Sequence, residues 1–418
     1  MKKRVLLIIA IIAGAIIAPE LNAQQLQNYT KKGQDGLNIF DPVKDNVEYN
    51  GLAVKIGGAF ALQWQGLNHS NNLNNLIDLG SDYNLPTANM TIDAQLADGV
   101  RVNLDLYLAS NHHHETWVKG GYLQIDRLDF ISKGYLENFM KYATIKVGQM
   151  ENNYGDAHFR RTDNASALKN PFIGNYLMDG FNTEVGAEFY YARNNFLFMG
   201  GFANGKLNQS VVDADATSSA FIGKFGYDKQ MNENLRFRLT GSIYHSSKLK
   251  SVYLYSGDRT GSRFYNVIQE QGQGANFRAG RVNPGFKNKL TAVMFNTFLK
   301  FKNLEIFGTL ENAKGGDASG STETRKWNQF ALDMVYRFGN NDNFYFAAKY
   351  NTASGKLSNA DANKVKVNRT ETGFGWFMTK NVMSKFLYVN QDYKDYPSAS
   401  NYAGANFKGI AFEAVISF

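Results

Sequence analysis

Basic side chains with anion-binding chemistry are concentrated in GQMENNYGDAHFRRTDNASALKNPFIGNY, residues 148–176. Arg160 and Arg161 are adjacent, and Lys169 follows eight residues later. Guanidinium groups donate paired N–H bonds to phosphate or carboxylate oxygens, so these residues could attract and orient small anions. Three acidic residues in the same segment offset part of the charge. The residue types therefore predict an anion-contacting segment and leave the identity of the anion open.

Local sequence predicts that part of this segment has a fixed structure. In TDNASALKNP, Asp163 or Asn164 would cap a short helix, residues 165–169 would form it, and Pro171 would follow its end. A capped helix is more typical of a segment held in one place than of a mobile surface loop.

Catalytic and metal-binding chemistry is weakly supported. The chain has no cysteine, which excludes disulfides and cysteine-based metal or redox sites. The adjacent histidines at 112–114 would point in different directions, so we expect no metal site and no cofactor. His245 with Ser242, Ser246 or Ser247 offers a base and a nucleophile for a barrel-embedded hydrolase, but no spacing fixes their geometry. We therefore expect the protein not to be an enzyme.

The N-terminus has the pattern of a secretory signal peptide, residues 1–23. Three basic residues precede an apolar run of 14 residues, 5–18, and small-residue cleavage chemistry follows at Ala23. An uncleaved membrane anchor is the alternative. Removal of the peptide takes away three basic residues and one glutamate and lowers the formal charge from +8 to +6. That excess is too diffuse to indicate nucleic-acid binding.

Alternation of apolar and polar residues predicts β-strands in most of the remaining chain. In VRVNLDLYL, residues 100–108, every second residue is apolar, which gives a strand one apolar face and one polar face. Many such stretches have 10 to 14 residues, close to the length that crosses a bilayer at a tilt. The sixteen predicted strands are roughly 53–66, 88–97, 100–109, 117–126, 142–150, 183–192, 195–203, 219–228, 234–247, 290–301, 304–313, 327–338, 343–354, 365–379, 382–393 and 406–418.

The connections alternate between long polar loops and mostly short turns, which is typical of an all-β, transmembrane antiparallel β-barrel with long extracellular loops and short periplasmic turns. We predict a periplasmic N-terminal segment at 24–52 and a barrel at 53–418, with loop 151–182 folded into the lumen. Aromatic residues near strand ends would form interfacial girdles; these are Trp64, Trp117, Trp327, Tyr350 and Trp376. A secreted or periplasmic sandwich is the alternative.

A barrel of about sixteen strands leaves an aqueous channel, so residues on its inner wall and inward loops would set selectivity. Strand parity places basic and acidic residues on the same inner wall. The fifth long loop, 248–289, is also basic, and binding of lipopolysaccharide phosphates explains its charge equally well. Besides the three residues named first, the candidates for an anion pathway are Arg101, Arg236, Arg238, Arg259, Arg263, Arg278 and Arg281.

Residues 142–192 carry a more specific signal. KVGQMENNYGDAHFRRTDN and KNPFIGNY, before DGFNTEVGAEFYY, resemble the phosphate-selective porin O/P family. The resemblance implies a sixteen-stranded homotrimer in the outer membrane of a Gram-negative bacterium, in contact with membrane lipid and lipopolysaccharide. It also implies passage of phosphate or polyphosphate past basic residues on inward loops, a role that Arg160 and Arg161 match. A general or nutrient porin without phosphate preference, and a plugged accessory barrel of a larger assembly, remain alternatives.

Overall fold

Sixteen antiparallel strands close into one barrel, each paired with its neighbours in chain order, and β1 pairs with β16. The structure is a computed structural model that describes residues 25–108, 116–162, 166–206, 218–249, 251–257, 263–317 and 322–418. The strands are β1 Ala53–Ser70, β2 Asp82–Ala97, β3 Val100–Leu108, β4 Trp117–Ile125, β5 Ala143–Glu151, β6 Thr183–Arg193, β7 Phe196–Ala203, β8 Ala220–Asn232, β9 Leu235–Leu249, β10 Lys287–Phe301, β11 Leu304–Gly316, β12 Thr324–Phe338, β13 Phe344–Gly355, β14 Val365–Thr379, β15 Val382–Lys394 and β16 Asn406–Ser417.

The sequence prediction of sixteen strands and of a closed barrel is confirmed. Helix is scarce in the described residues: one α-helix, α1 (Glu137–Met140), and 3-10 turns at Gln34–Gly36, Ala157–Arg160 and Asn340–Asp342. None of the described helices is long and apolar enough to span a membrane. The helix α1 lies in the connection between β4 and β5, residues 126–142, which is the longest of the connections on the turn side.

The two faces of the wall differ as the alternation predicts. On β12, Phe330, Leu332 and Met334 are exposed on the outer face, whereas Gln329 and Asp333 on the inner face are buried. An apolar outer face and a polar inner face are the pattern of a barrel that spans a membrane around a polar lumen.

One predicted girdle residue lies elsewhere. Trp327 is 1% exposed and belongs to the inner face of β12, where its indole N–H donates to the carbonyl of Lys356 at 3.0 Å. Trp117 and Trp376 are more than a third exposed, as an interfacial position requires. Trp327 stands one residue out of phase with the outward-facing apolar positions of β12, so its side chain lies on the inner face. The prediction relied on residue type and did not use this phase.

Three segments fill the interior of the barrel. These are the N-terminal segment (residues 25–52), the inserted loop between β5 and β6 (residues 152–182) and the described part of the loop between β9 and β10. Buried apolar side chains from all three pack against the wall. Fully buried examples are Phe172, Ile173, Leu177 and Phe264.

The N-terminal segment, for which the sequence predicted a periplasmic position, enters the barrel at the end that carries the short turns. The backbone N–H of Gln34 donates to the carbonyl of Lys380 in one of those turns, at 2.7 Å. Farther along, Phe40 is 7% exposed, and its ring lies 5.4 Å from that of Phe298 and 5.7 Å from that of Phe159. The segment thus contacts both the wall and the inserted loop.

Candidate functional site

The inserted loop enters the lumen at Gly155 and is held there by Asp156. Gly155 has φ +70°, a left-handed conformation that glycine adopts without strain, and a Cβ at this position would lie 2.2 Å from the sulfur of Met294 on β10, which would have to move. The carboxylate of Asp156 accepts bonds from Lys224 at 3.0 Å and Arg238 at 2.8 Å, on β8 and β9. Burial opposes the charge on Asp156, but the two cations prevail and hold its pKa well below the ordinary value.

The middle of the inserted loop donates hydrogen bonds to side chains of β12 and β13. The backbone N–H of Leu177 donates to Asn351 at 2.7 Å, and that of Met178 donates to Gln329 at 2.8 Å. The hydroxyl of Tyr176 donates to Asp333 at 2.7 Å. Because the wall satisfies these buried groups, the loop has one defined position across the lumen.

The predicted anion contacts Arg160 and Arg161 lie in the lumen, and both are engaged by protein groups. Arg161 donates two bonds of 2.7 Å to the carboxylate of Asp179, in the fork geometry that guanidinium and carboxylate groups form, and it is 3% exposed. Arg160 donates to Asn38 at 2.8 Å and lies 3.8 Å from the carboxylate of Glu305. In this arrangement the arginine pair stabilises the position of the loop.

The predicted arginines on the strands also have protein partners. Arg101 donates to Asp93 at 2.6 Å. Arg236 donates to Asp228 at 2.7 Å, and Arg238 contacts Asp228 in addition to Asp156.

The β9–β10 loop brings Arg263 inside the barrel instead of leaving it at the mouth. Arg263 is 0% exposed, and its Nη1 lies 3.4 Å from the carboxylate of Glu413 on β16. Arg281 donates to the carbonyl of Tyr255 at 2.5 Å within the same loop. Arg278 is half-buried beside the ring of Phe277. The remaining candidate, Arg259, lies outside the described residues.

A cavity of about 210 Å³ remains in the part of the lumen that is bounded by strands β2–β6, the N-terminal segment and the inserted loop. Charged side chains of both signs line it. The basic ones are Lys32, Arg101, Lys119, Lys146 and Lys169, and the acidic ones are Asp41, Asp93, Asp105, Glu151 and Glu188.

Three of the lining lysines, Lys32, Lys146 and Lys169, form no ion pair within the described part of the chain. The Nζ atom of Lys146 lies 5.0 Å from the ring centre of Tyr122 and 5.4 Å from that of Tyr190, which places it over two aromatic faces. All three lysines are half-buried, and all three line the cavity. We call Lys32, Lys146 and Lys169 the lysine cluster.

Lys169 is the one predicted site residue that the structure brings into the lysine cluster. Burial, together with the positive charge of Lys32, lowers the pKa of Lys169 to about 8, and the negative charge of Glu151 opposes the change. The predicted helix around it is a turn in its described part, where the N–H of Lys169 donates to the carbonyl of Ser166 at 2.8 Å. Residues 163–165 lie outside the described residues.

Sequence reasoning did not select Lys32, Lys119 and Lys146 as site residues. The alternation of β5 placed Lys146 on the inner wall, but no pattern ranked it above the arginines. Lys32 belongs to the N-terminal segment, which has no strand periodicity and was assigned to the periplasm. The sequence signal that could have indicated a basic cluster is the position of Lys119 and Lys146 on adjacent strands, β4 and β5.

The residues considered for hydrolysis do not form a catalytic pair. His245 is exposed, and its Nδ1 lies 2.8 Å from the hydroxyl of Thr291. Ser242 and Ser246 are buried on the inner face of the same strand. The histidines at 112–114 lie outside the residues that the structure describes. Within the described residues no group of three potential metal ligands occurs.

The architecture is a closed barrel of sixteen antiparallel strands with a loop folded into the lumen, the fold class of outer-membrane β-barrels. No family model and no curated protein matches the sequence.

Solved structures nevertheless share the fold. The anion-selective porin of Comamonas acidovorans superposes with a TM-score of 0.54 at 14% identity, over 88% of this chain and 100% of that one. OmpT of Vibrio cholerae, in a trimer form, gives 0.54 at 11% identity over 88% and 100%. The outer-membrane channel DcaP of Acinetobacter baumannii gives 0.53 at 12% identity over 89% and 99%. At these identities the likeness establishes the fold.

Proposed function

We propose that this protein is an outer-membrane channel of a Gram-negative bacterium and that small anionic solutes, phosphate among them, pass through the cavity beside strands β2–β6. The observation that carries the proposal is the lysine cluster, which offers three cations to that cavity without internal ion partners among the described residues. Of the predicted arginines, Arg160, Arg161 and Arg238 act in this account as structural supports of the inserted loop.

The carboxylates that line the cavity are largely engaged by other groups, which supports an anion preference. Asp93 accepts from Arg101, and Glu151 lies 2.7 Å from the imidazole of His158. Glu188 accepts from the backbone N–H of Asn153 at 2.9 Å. Asp105 forms no ion pair within the described residues and offsets part of the positive potential. In a narrow polar passage between low-dielectric walls, the remaining positive charge raises the local concentration of anions.

A homotrimer is part of the proposal. Its support is the shared fold, because one of the similar structures is described as a trimer form. Export by the peptide at residues 1–23 and contact with lipopolysaccharide complete the proposed setting.

The experiment is a planar-bilayer recording of the purified protein in a KCl gradient at pH 7 and pH 9. We expect stepwise openings and a reversal potential on the anion side at pH 7, with block by added phosphate. At pH 9 the anion preference should be smaller, because Lys169, with a pKa of about 8, loses its charge over this interval. An ordinary lysine would stay charged, with a pKa of about 10.4.

A matched pair of variants separates Lys169 from the rest of the cluster. Lys169→Gln should reduce the anion preference at pH 7 and remove the change between pH 7 and 9, whereas Lys146→Gln should reduce the preference and keep that change. Cation selectivity at pH 7 without phosphate block would rule out the anion proposal. Absence of any stepwise opening would rule out the channel itself.

The filled interior favours a second candidate, an accessory barrel whose lumen is plugged. Buried side chains of the inserted loop, the N-terminal segment and the described part of the β9–β10 loop pack against the wall inside the lumen. If the wild-type protein shows no conductance in the bilayer and a variant whose inserted loop has left the lumen does conduct, the accessory role replaces the channel.

A further inference from the structure

We propose that the connection between β4 and β5 is a membrane anchor, which inserts apolar side chains into the phospholipid leaflet at the turn end of the barrel. The inference rests on the proposed placement in an outer membrane. It concerns a segment outside the strands, away from the cavity of the proposed channel.

This connection differs in composition from the other six at the turn end, which consist of glycine and polar or charged residues. Those six are residues 98–99, 194–195, 233–234, 302–303, 339–343 and 380–381. In residues 126–142, by contrast, four large apolar side chains are 42–60% exposed: Phe130, Ile131, Leu136 and Phe139. We call these four the apolar turn patch. An exposed apolar cluster marks a surface that an interaction partner or a membrane covers.

The opposite face of the connection is already used to hold it on the barrel. A cavity of about 740 Å³ lies between the connection and the N-terminal segment. Among the described residues that line it are Tyr135, Glu137 and Met140, and none belongs to the apolar turn patch. The carbonyl of Met140 accepts a bond of 3.2 Å from Lys44. The apolar turn patch is therefore left over for contacts outside the barrel.

Phe139 joins the apolar turn patch to the outer wall. Its ring stacks on two rings of β6, at 6.0 Å from Phe189 and 5.4 Å from Tyr191. These two rings lie on the outer face of β6, because the alternate residues Glu188 and Tyr190 line the cavity in the lumen. The apolar turn patch thus continues the surface that faces lipid in an outer membrane.

The wall beside Phe139 carries aromatic rings at one level. Tyr191 is the register partner of Phe198 on β7, and Phe198 is the partner of Phe225 on β8. Phe198 and Phe225 are more than half exposed. Nearer to the turn, the exposed guanidinium of Arg193 lies 4.8 Å from the ring centre of Tyr142. Aromatic rings with a cation on the water side are typical of a membrane interface.

A lipid leaflet is the occupant that covers the aromatic row and the apolar turn patch together. It is continuous around the wall, and apolar faces that lie in it are buried about 5–10 Å into the boundary between headgroups and acyl chains. Arg193 forms no ion pair within the described residues, and phosphate oxygens of the headgroups would supply its partner.

The test is spin labelling of the purified full-length protein in liposomes of phosphatidylethanolamine and phosphatidylglycerol. The chain has no cysteine, so a single introduced cysteine carries the only nitroxide. With the label at Ile131→Cys, the ratio of collisions with oxygen to collisions with a water-soluble nickel chelate should be about threefold or more above that of Glu233→Cys, because the apolar turn patch lies in lipid. Glu233 is exposed in the polar β8–β9 turn. Leu310→Cys, on the outer face of β11, marks the hydrocarbon level and should also give a high ratio.

A matched pair of variants tests whether Phe139 holds the apolar turn patch against the wall. In the Ile131→Cys background, Phe139→Asp should lower the ratio toward that of Glu233→Cys. Tyr135→Asp adds the same charge on the cavity face and should keep the ratio high. Circular dichroism of both variants checks that the barrel is folded.

Three outcomes would overturn the anchor. A water-like ratio at Ile131→Cys with a lipid-like ratio at Leu310→Cys would remove the anchor and leave the placement in a membrane intact. Water-like ratios at all three labels would remove both. Spin–spin broadening at Ile131→Cys that disappears on dilution with unlabelled protein would show that a second copy of the chain covers the apolar turn patch.

Discussion

Replacing Asp156 with asparagine is expected to release the inserted loop and to destabilise the barrel by about 3–5 kcal/mol, because it leaves buried cations without their partner. The side chains of Lys224 and Arg238 are 0% and 3% exposed, and both pair with Asp156. In the variant Arg238 keeps two carboxylate partners, Asp41 and Asp228. Among the described residues Lys224 keeps one carboxylate, Asp41 at 3.9 Å, and its bonds to the neutral side chain of Asn153 and the carbonyl of Gly155. The charge on Lys224 therefore dominates the loss.

Two measurements follow for Asp156→Asn. Urea unfolding in detergent should show the lower stability, and single-channel recording should show a larger and noisier conductance. The pKa of Asp156 is lower in the folded barrel than in the unfolded chain. Its contribution is therefore complete above about pH 4 and decreases in stronger acid.

Asp82→Asn is the matched control, since it makes the same change at an exposed carboxylate that accepts only the N–H of Tyr83 among the described residues. Wild-type stability and conductance in Asp156→Asn would show that the loop is held by other contacts.

Removal of residues 25–45 is expected to increase single-channel conductance roughly twofold or more, because the narrowest part of a pore limits its conductance and this segment narrows the lumen. This part of the N-terminal segment lines the cavity with Tyr29 and Lys32 and packs Phe40 against the wall. Lys44 fixes it to the barrel through bonds of 2.7 Å to Asp126 and 2.6 Å to the carbonyl of Ala143.

Phe40→Ala tests the same segment without removing its charges. It should destabilise the barrel by about 3–5 kcal/mol, as deletion of a buried aromatic ring does, and it should raise conductance less than the truncation. Tyr49→Ala, at a position that is 37% exposed, is the control and should resemble wild type. An unchanged conductance in the truncated protein would place the segment outside the conducting path.

The fold could be predicted from the sequence because strand alternation and loop length are local signals. The apolar positions of β12, from Phe330 to Phe338, identify the outer face without knowledge of any other strand. Counting long and short connections then made residues 151–182 the third long loop. Most of its described residues are buried.

The site was less accessible to prediction because it depends on which charges meet. Arg161 and Asp179 are 18 residues apart, and nothing local in the sequence indicates that they form a fork. The position of Lys32 depends on the N-terminal segment. This segment has no alternation of apolar and polar residues from which its entry into the lumen could be predicted. The sequence therefore shows which residues are basic but does not show which of them form ion pairs with carboxylates inside the barrel.

The most direct test of the account is the reversal potential of a variant in which Lys32, Lys146 and Lys169 are all replaced by glutamine. The control variant carries the same replacement at Lys133, Lys302 and Lys408, which are exposed and do not line the cavity. In a KCl gradient the cluster variant should lose anion preference and phosphate block while still opening in steps, and the control should behave as wild type. An unchanged reversal potential in the cluster variant would contradict the account and would assign selectivity to other groups, such as Arg160 and Arg161.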